Sequence, residues 1–171
     1  MKMMTQEQIN IAIKQLKNNE LIILPTDTIY GISAIFTDKN KIKINNLKKS
    51  DLNKPLIILV SSLIDAKKII DLNDLIIDKL TSSKPTTVIA KAKHTSENIG
   101  IRIVNRNDIK KIIKEVGPIF STSVNVSGNH FLFEEIDLNN FSSEIKNVFW
   151  VGNLDRNPSQ IYEIITNSKK R

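Results

Sequence analysis

Cysteine is absent from the 171 residues, which excludes disulfides, a thiolate nucleophile and sulfur-ligated zinc. The two histidines, His94 and His130, are not spaced as metal ligands, so any metal is expected to arrive with a substrate. No apolar stretch reaches the roughly 18 residues of a membrane-spanning helix. Met1-Lys2-Met3-Met4-Thr5 leads into a polar helix rather than a signal peptide, so the cytoplasm is the expected location. No five basic residues run together, and no internal repeat or linker divides the chain. A Ser–His–Asp set, a paired acidic dyad, a Walker A sequence and GxGxxG are all missing.

What is present is a globular composition, 40% apolar and 25% charged, long enough for one domain over residues 1–171 with a sizeable core. The net charge of +7 fits an anionic partner such as a nucleotide or RNA, and equally a lysine-rich solvated exterior. Thr5 and Gln8 have capping-box spacing for a helix to about Lys17. Leu21 to Leu24 reads as a strand covered on both faces and ended by Pro25. Asp38 is the expected cap of a second helix to about Lys49, with Ile42 and Leu47 among its apolar positions. Strands follow at Pro55–Val60 and Lys84–Lys91. Between them lie helices over Leu63–Ile70, opened by Ser61-Ser62, and over Asp71–Ser83, with Leu75, Ile76 and Leu80 inward. Ile99 to Ile103 alternates as a strand, Asn107 or Asp108 caps a helix to Val116, and Gly117-Pro118 stops it. Strand Ile119–Ser123 completes an αβ unit. Beyond it, a helix over Asp137–Ile145 and strands at Asn147–Val151 and Ile161–Ile165 are expected.

Polar residues collect where these strands end, which is where α/β sheets bind ligands. Ser121, Ser123 and Asn125 follow Ile119-Phe120; alone they are an ordinary loop or one wall of an anion site. Thr26, Asp27 and Thr28 follow Pro25 as either a substrate clamp or an Asx-type turn. Lys48, Lys49 and Lys54 are point charges for phosphate or a solvated helix end. Arg102, between Ile101 and Ile103, is either on a solvated sheet face or set to fork a carboxylate or phosphate. Thr87 opens another strand, and Arg156 and Ser159 lie in a turn-rich loop. Hydroxyls with Lys and Arg, and no evident base or nucleophile, describe a site that works by positioning and charge neutralisation, as nucleotidyl transfer allows.

The order of these clusters resembles the YrdC/TsaC-like family, the threonylcarbamoyl-AMP synthases of tRNA modification. Pro25-Thr26-Asp27-Thr28-Ile29-Tyr30-Gly31 matches PT(E/D)xxYG, and Lys48-Lys49-Ser50 before Pro55-Leu56 aligns with a KxR box. Lys84-Pro85-Thr86-Thr87 corresponds to GPxT and Ile101-Arg102-Ile103 to an (A/G)xRxP-like strand. Ser121 to Gly128 follows STSANxSG with Val124 for Ala, and Asn157-Pro158-Ser159-Gln160-Ile161 follows NPS(T/E)I. The resemblance implies a single twisted α/β domain with a mixed sheet, flanking helices and a basic concave groove. It implies condensation of L-threonine, bicarbonate and ATP, with magnesium, to threonylcarbamoyl-AMP and pyrophosphate. A partner transferase complex then delivers the group to an adenosine of tRNAs that read ANN codons.

Carried over by position, Thr26 and Thr28 lie beside threonine and Arg102 holds its carboxylate. Lys48 lies near the triphosphate, Thr87, Ser121 and Ser123 contact nucleotide, and Asn125 shapes the pocket. Ser159 closes the nucleotide side, with Arg156 added from its neighbourhood. Threonine brings its own nucleophile, so no protein nucleophile is expected. The chain departs from the pattern at Ser50, where the family has arginine, and at Lys84, where it has glycine. Lys49, Lys54 and Arg156 are the residues that would replace the lost phosphate contact. The alternative is a divergent or non-catalytic relative that binds RNA or nucleotide.

Overall fold

In the computed structural model, which describes residues 1–164 and 168–170, nine strands form one mixed sheet. They are β1 (Leu21–Pro25), β2 (Tyr30–Ile35), β3 (Ile57–Val60), β4 (Thr86–Lys91), β5 (Asn98–Ile103), β6 (Ile119–Ser123), β7 (Ile145–Val148), β8 (Gln160–Glu163) and β9 (Ser168–Lys169). Their order is β7-β1-β2-β6-β3-β5-β4-β8-β9. The β1/β7, β3/β5 and β4/β8 pairs are parallel and the other neighbours antiparallel. Helices α1 (Gln6–Lys17), α2 (Asp38–Leu47), α3 (Leu63–Ile69), α4 (Asp74–Leu80), α5 (Asn107–Val116) and α6 (Glu135–Asn140) flank it.

Strand alternation separates a core face from a site face. Ile58, Phe120 and Ile101 are register partners and buried in the core. Their chain neighbours Ile57, Gly100 and Ser121 pair on the opposite face, joined there by Gly31, Ser123 and Arg102. β1 is buried along its whole length, as its unbroken apolar run requires. Thr5 and Gln8 close the expected capping box, and Gly117 takes a left-handed φ of 85° after α5, a conformation open to glycine without steric cost.

Several boundaries differ from those read in the sequence, each for a local reason. Tyr30–Ile35 is a full strand paired on both sides, although Gly31 and Ser33 have turn chemistry; pairing with two apolar neighbours outweighs propensity. Thr37, not Asp38, caps α2 by accepting from the Asn40 amide. That frame turns Ile44 into the core and leaves Ile42 half exposed. Asn73 caps α4, so the helix starts at Asp74 and Leu75 faces outward. Ile64 of α3 is likewise exposed. Neither Asn107 nor Asp108 caps α5: Arg106 holds the cap position, and Asp108 turns inward to pair with it and accept the Met4 amide. The late elements shift to α6 at Glu135–Asn140 and β7 at Ile145–Val148. β8 ends at Glu163, and the expected strand residue Ile165 lies outside the described residues.

Candidate active site

The turn between β1 and β2 is closed by its own hydroxyls. Thr26 Oγ1 donates to Ile29 O at 2.7 Å and accepts the Thr28 amide at 3.1 Å. With that proton used, the 2.9 Å hydroxyl contact runs from Thr28 to Thr26, leaving Thr28 Oγ1 open to accept from Arg102 Nη2 at 3.4 Å. Arg102 is not on a solvated face: it is 4% exposed. Its Nη1 pairs with Asp27, whose other carboxylate oxygen accepts the Asn105 amide at 2.8 Å. Arg102 Nε is buried with no partner among the described residues.

On the next strands, Ser121 lies beneath Gly31, where an added Cβ would stand 2.2 Å from Ser121 Oγ. Ser123 Oγ donates to Asn125 Oδ1 at 2.6 Å. The Asn125 amide nitrogen donates to the Val126 and Asn129 carbonyls, so this side chain shapes the loop after β6. Lys48 is buried under the same loop. Its ammonium donates to Ser123 O, Asn125 O and Asn125 Oδ1, and its own carbonyl accepts the Ser127 amide at 2.8 Å. Burial, then the nearby Lys54 charge, pulls the Lys48 pKa down to about 8. Lys54 reaches Ser127 Oγ at 3.3 Å, while Lys49 is exposed at a φ of 51°. Ser50 Oγ donates back to Asn45.

These strand ends enclose a cavity of about 140 Å³. Of the residues singled out in the sequence, Thr26, Thr28, Arg102, Ser121, Ser123 and Ser159 line it. Thr87 stands directly behind, its hydroxyl 2.8 Å from Ser159 Oγ. Asn125 and Lys48 stand one step removed, in contact with Ser123. Lys49, Lys54 and Arg156 are outside; Arg156 pairs with Glu134 at 3.1 Å and covers the Phe133 ring. The cavity also takes Ile29 and Pro158, which lie within the quoted motifs, and Ile57 and Phe131, which no motif marked. Phe131 falls in a stretch without periodicity, so no sequence signal pointed to it. Asn45 carries no signal within its helix pattern, yet its side-chain amide holds the Leu52 and Lys54 carbonyls and so forms the loop carrying Lys54. Asp27 did carry a signal, an acid between two threonines, but its partner is 75 residues away.

Tyr30 of the same turn is structural. It stacks on Trp150 at 5.0 Å, donates to Gly152 O and accepts the Val151 amide, and burial raises its pKa. Chemically, the cavity offers a buried guanidinium and a ring of hydroxyls. That combination orients a carboxylate and polar hydroxyl-bearing groups rather than attacking them.

The Sua5/YciO/YrdC family model, described as telomere recombination, matches residues 14–171. A Methanocaldococcus jannaschii protein provisionally named threonylcarbamoyl-AMP synthase is 37% identical over 125 residues, 67% of this chain and 59% of that protein. The threonylcarbamoyl-AMP synthase of Pseudoalteromonas translucida is 29% identical over 143 residues, 75% of this chain and 76% of that one. The crystal structure of P. abyssi Sua5 complexed with L-threonine superposes with a TM-score of 0.81 at 20% identity, covering 94% of this chain and 52% of that one. The chain thus spans somewhat over half the length of the first curated relative and about half that of the solved one.

Proposed function

Because the chain belongs to the Sua5/YciO/YrdC family, we propose that it is a threonylcarbamoyl-AMP synthase. It would convert L-threonine, bicarbonate and ATP to threonylcarbamoyl-AMP, pyrophosphate and water. The observation that carries this reading is the buried Arg102 guanidinium opening on a cavity otherwise polar only through hydroxyls and backbone. A guanidinium fork suits the threonine carboxylate, with Thr26 and Thr28 beside it. Ser121, Ser123 and Ser159 face the nucleotide, with Thr87 bracing Ser159. Lys49, Lys54 and Arg156 lie outside the cavity and would be the charges for phosphate, Arg156 only on giving up Glu134.

The threonine amine attacks bicarbonate carbon and water leaves. The resulting carbamate oxygen then attacks the α-phosphorus and pyrophosphate departs, so the chain needs only to position and neutralise. Among the described residues no three His, Asp or Glu side chains are grouped as a metal site. Magnesium would arrive on ATP as part of the substrate. Transfer to tRNA by a partner complex, in the cytoplasm, completes the proposal.

The test is pyrophosphate release and mass detection of the adduct. Release should require ATP, threonine and bicarbonate together, and Arg102→Ala should raise the threonine requirement far more than the ATP requirement. No pyrophosphate at any magnesium level overturns the reading. One observation favours a divergent binder instead: Lys48 is committed to a loop and Ser50 to Asn45, not to the cavity. Salt-sensitive RNA binding without turnover would support that second reading.

A further inference from the structure

Asp27 is 3% exposed at its side chain, as deeply placed as the arginine it meets. It does not line the cavity that Arg102 lines. Both its oxygens are engaged, one by Arg102 Nη1 and the other by the Asn105 amide, so it is held from the far side. Of the remaining guanidinium groups, among the described residues Nε has no partner and Nη2 has only a long contact to Thr28. A buried donor left unpaired is costly, and an arginine tethered at Nη1 alone has its other edge held in reserve.

We propose that Asp27 is a positioning residue: it grips Nη1 of Arg102 from behind the cavity and so sets the orientation of the guanidinium edge that receives the substrate carboxylate. It also cancels the buried charge, so the site favours a net-neutral amino acid over a plain anion. The threonine part of this inference rests on the synthase reading above; the part about Arg102 does not.

Two measurements separate them. The first needs no substrate: the Arg102 Nε–H NMR resonance, assigned by its loss in Arg102→Lys, is compared in the unmodified protein and Asp27→Asn. This proton makes no bond of its own and is protected by the burial of a guanidinium held still, so its protection from exchange should fall about tenfold or more once the Nη1 tether to Asp27 is lost. Unchanged protection overturns the inference, whatever the enzyme does. The second is kinetic. Asp27→Asn should raise the threonine KM about tenfold with little change in kcat or in the ATP KM, the scale of one such bond. Inhibition by 3-hydroxybutyrate, which lacks the amine, should strengthen relative to threonine binding. In an Arg102→Lys background Asp27→Asn should add little.

Equal effects on threonine and ATP, or full additivity, would mean a merely structural role and overturn the proposal. If the unmodified protein releases no pyrophosphate, the synthase reading fails while the resonance still decides the role of Asp27. Should Asp27→Asn not fold, Asp27→Glu, which keeps the charge but displaces it by a methylene, is read in the same two ways.

Discussion

Gly31 shows how closely single residues are set at this site. Its place in a strand buried on both sides leaves no room for a side chain, because a Cβ would overlap Ser121 Oγ at 2.2 Å. Alanine here forces Ser121 out of its rotamer and disturbs a hydroxyl that lines the cavity. The expected cost of Gly31→Ala is about 1–3 kcal/mol, as for other overpacked sites, read by denaturant unfolding. Adding Ser121→Ala should recover most of it, and an undiminished loss in the double variant would show that the strain lies elsewhere. The glycine was visible in the sequence as part of a YG pair, but its reason was not. The atom it avoids belongs to β6, some ninety positions on.

At the level of elements, the loop after β6 is held by α2. Lys48, at the end of that helix, supplies three donors to it and so braces Ser123 and Asn125. Burial and the charge of Lys54 hold the folded-state pKa of Lys48 near 8, below the 10.5 of an ordinary lysine. The folded protein therefore releases this proton first. Between about pH 8 and 10.5 the unfolded chain binds more protons, so the stability contributed at this site rises with pH and is flat on either side. Lys48→Met should remove that slope, as measured by unfolding free energy across the window. A slope that persists in the variant would assign it to another group.

The whole molecule is tied together by a sheet whose order does not follow the chain. β1 lies between β7 and β2, and β4 between β5 and β8, so early and late segments share hydrogen bonds across the sheet. The single Trp150 stacks on Tyr30, linking the turn after β1 to the strand end after β7. Its fluorescence should therefore unfold together with far-ultraviolet circular dichroism in one transition, the behaviour of a two-state domain. Two separated midpoints would show that the late strands form a unit of their own. The placing of Pro158 and Ser159 in the cavity wall depends on this same interleaving, through the Thr87–Ser159 hydroxyl pair and the parallel β4/β8 register.

Local patterns were enough to determine the α/β class, most element positions and the six polar clusters, because strand alternation, caps and turn residues act within a few positions. They also carried the family resemblance, which is a matter of order along the chain. The partner of each charge was decided only in three dimensions. Whether Arg102 faced water, phosphate or a carboxylate depended on Asp27, and whether Lys48 pointed into the cavity or beneath a loop depended on β6. Such pairings bring together residues more than seventy positions apart, and burial, which makes an unpaired charge so costly, selects among them only once the sheet has assembled.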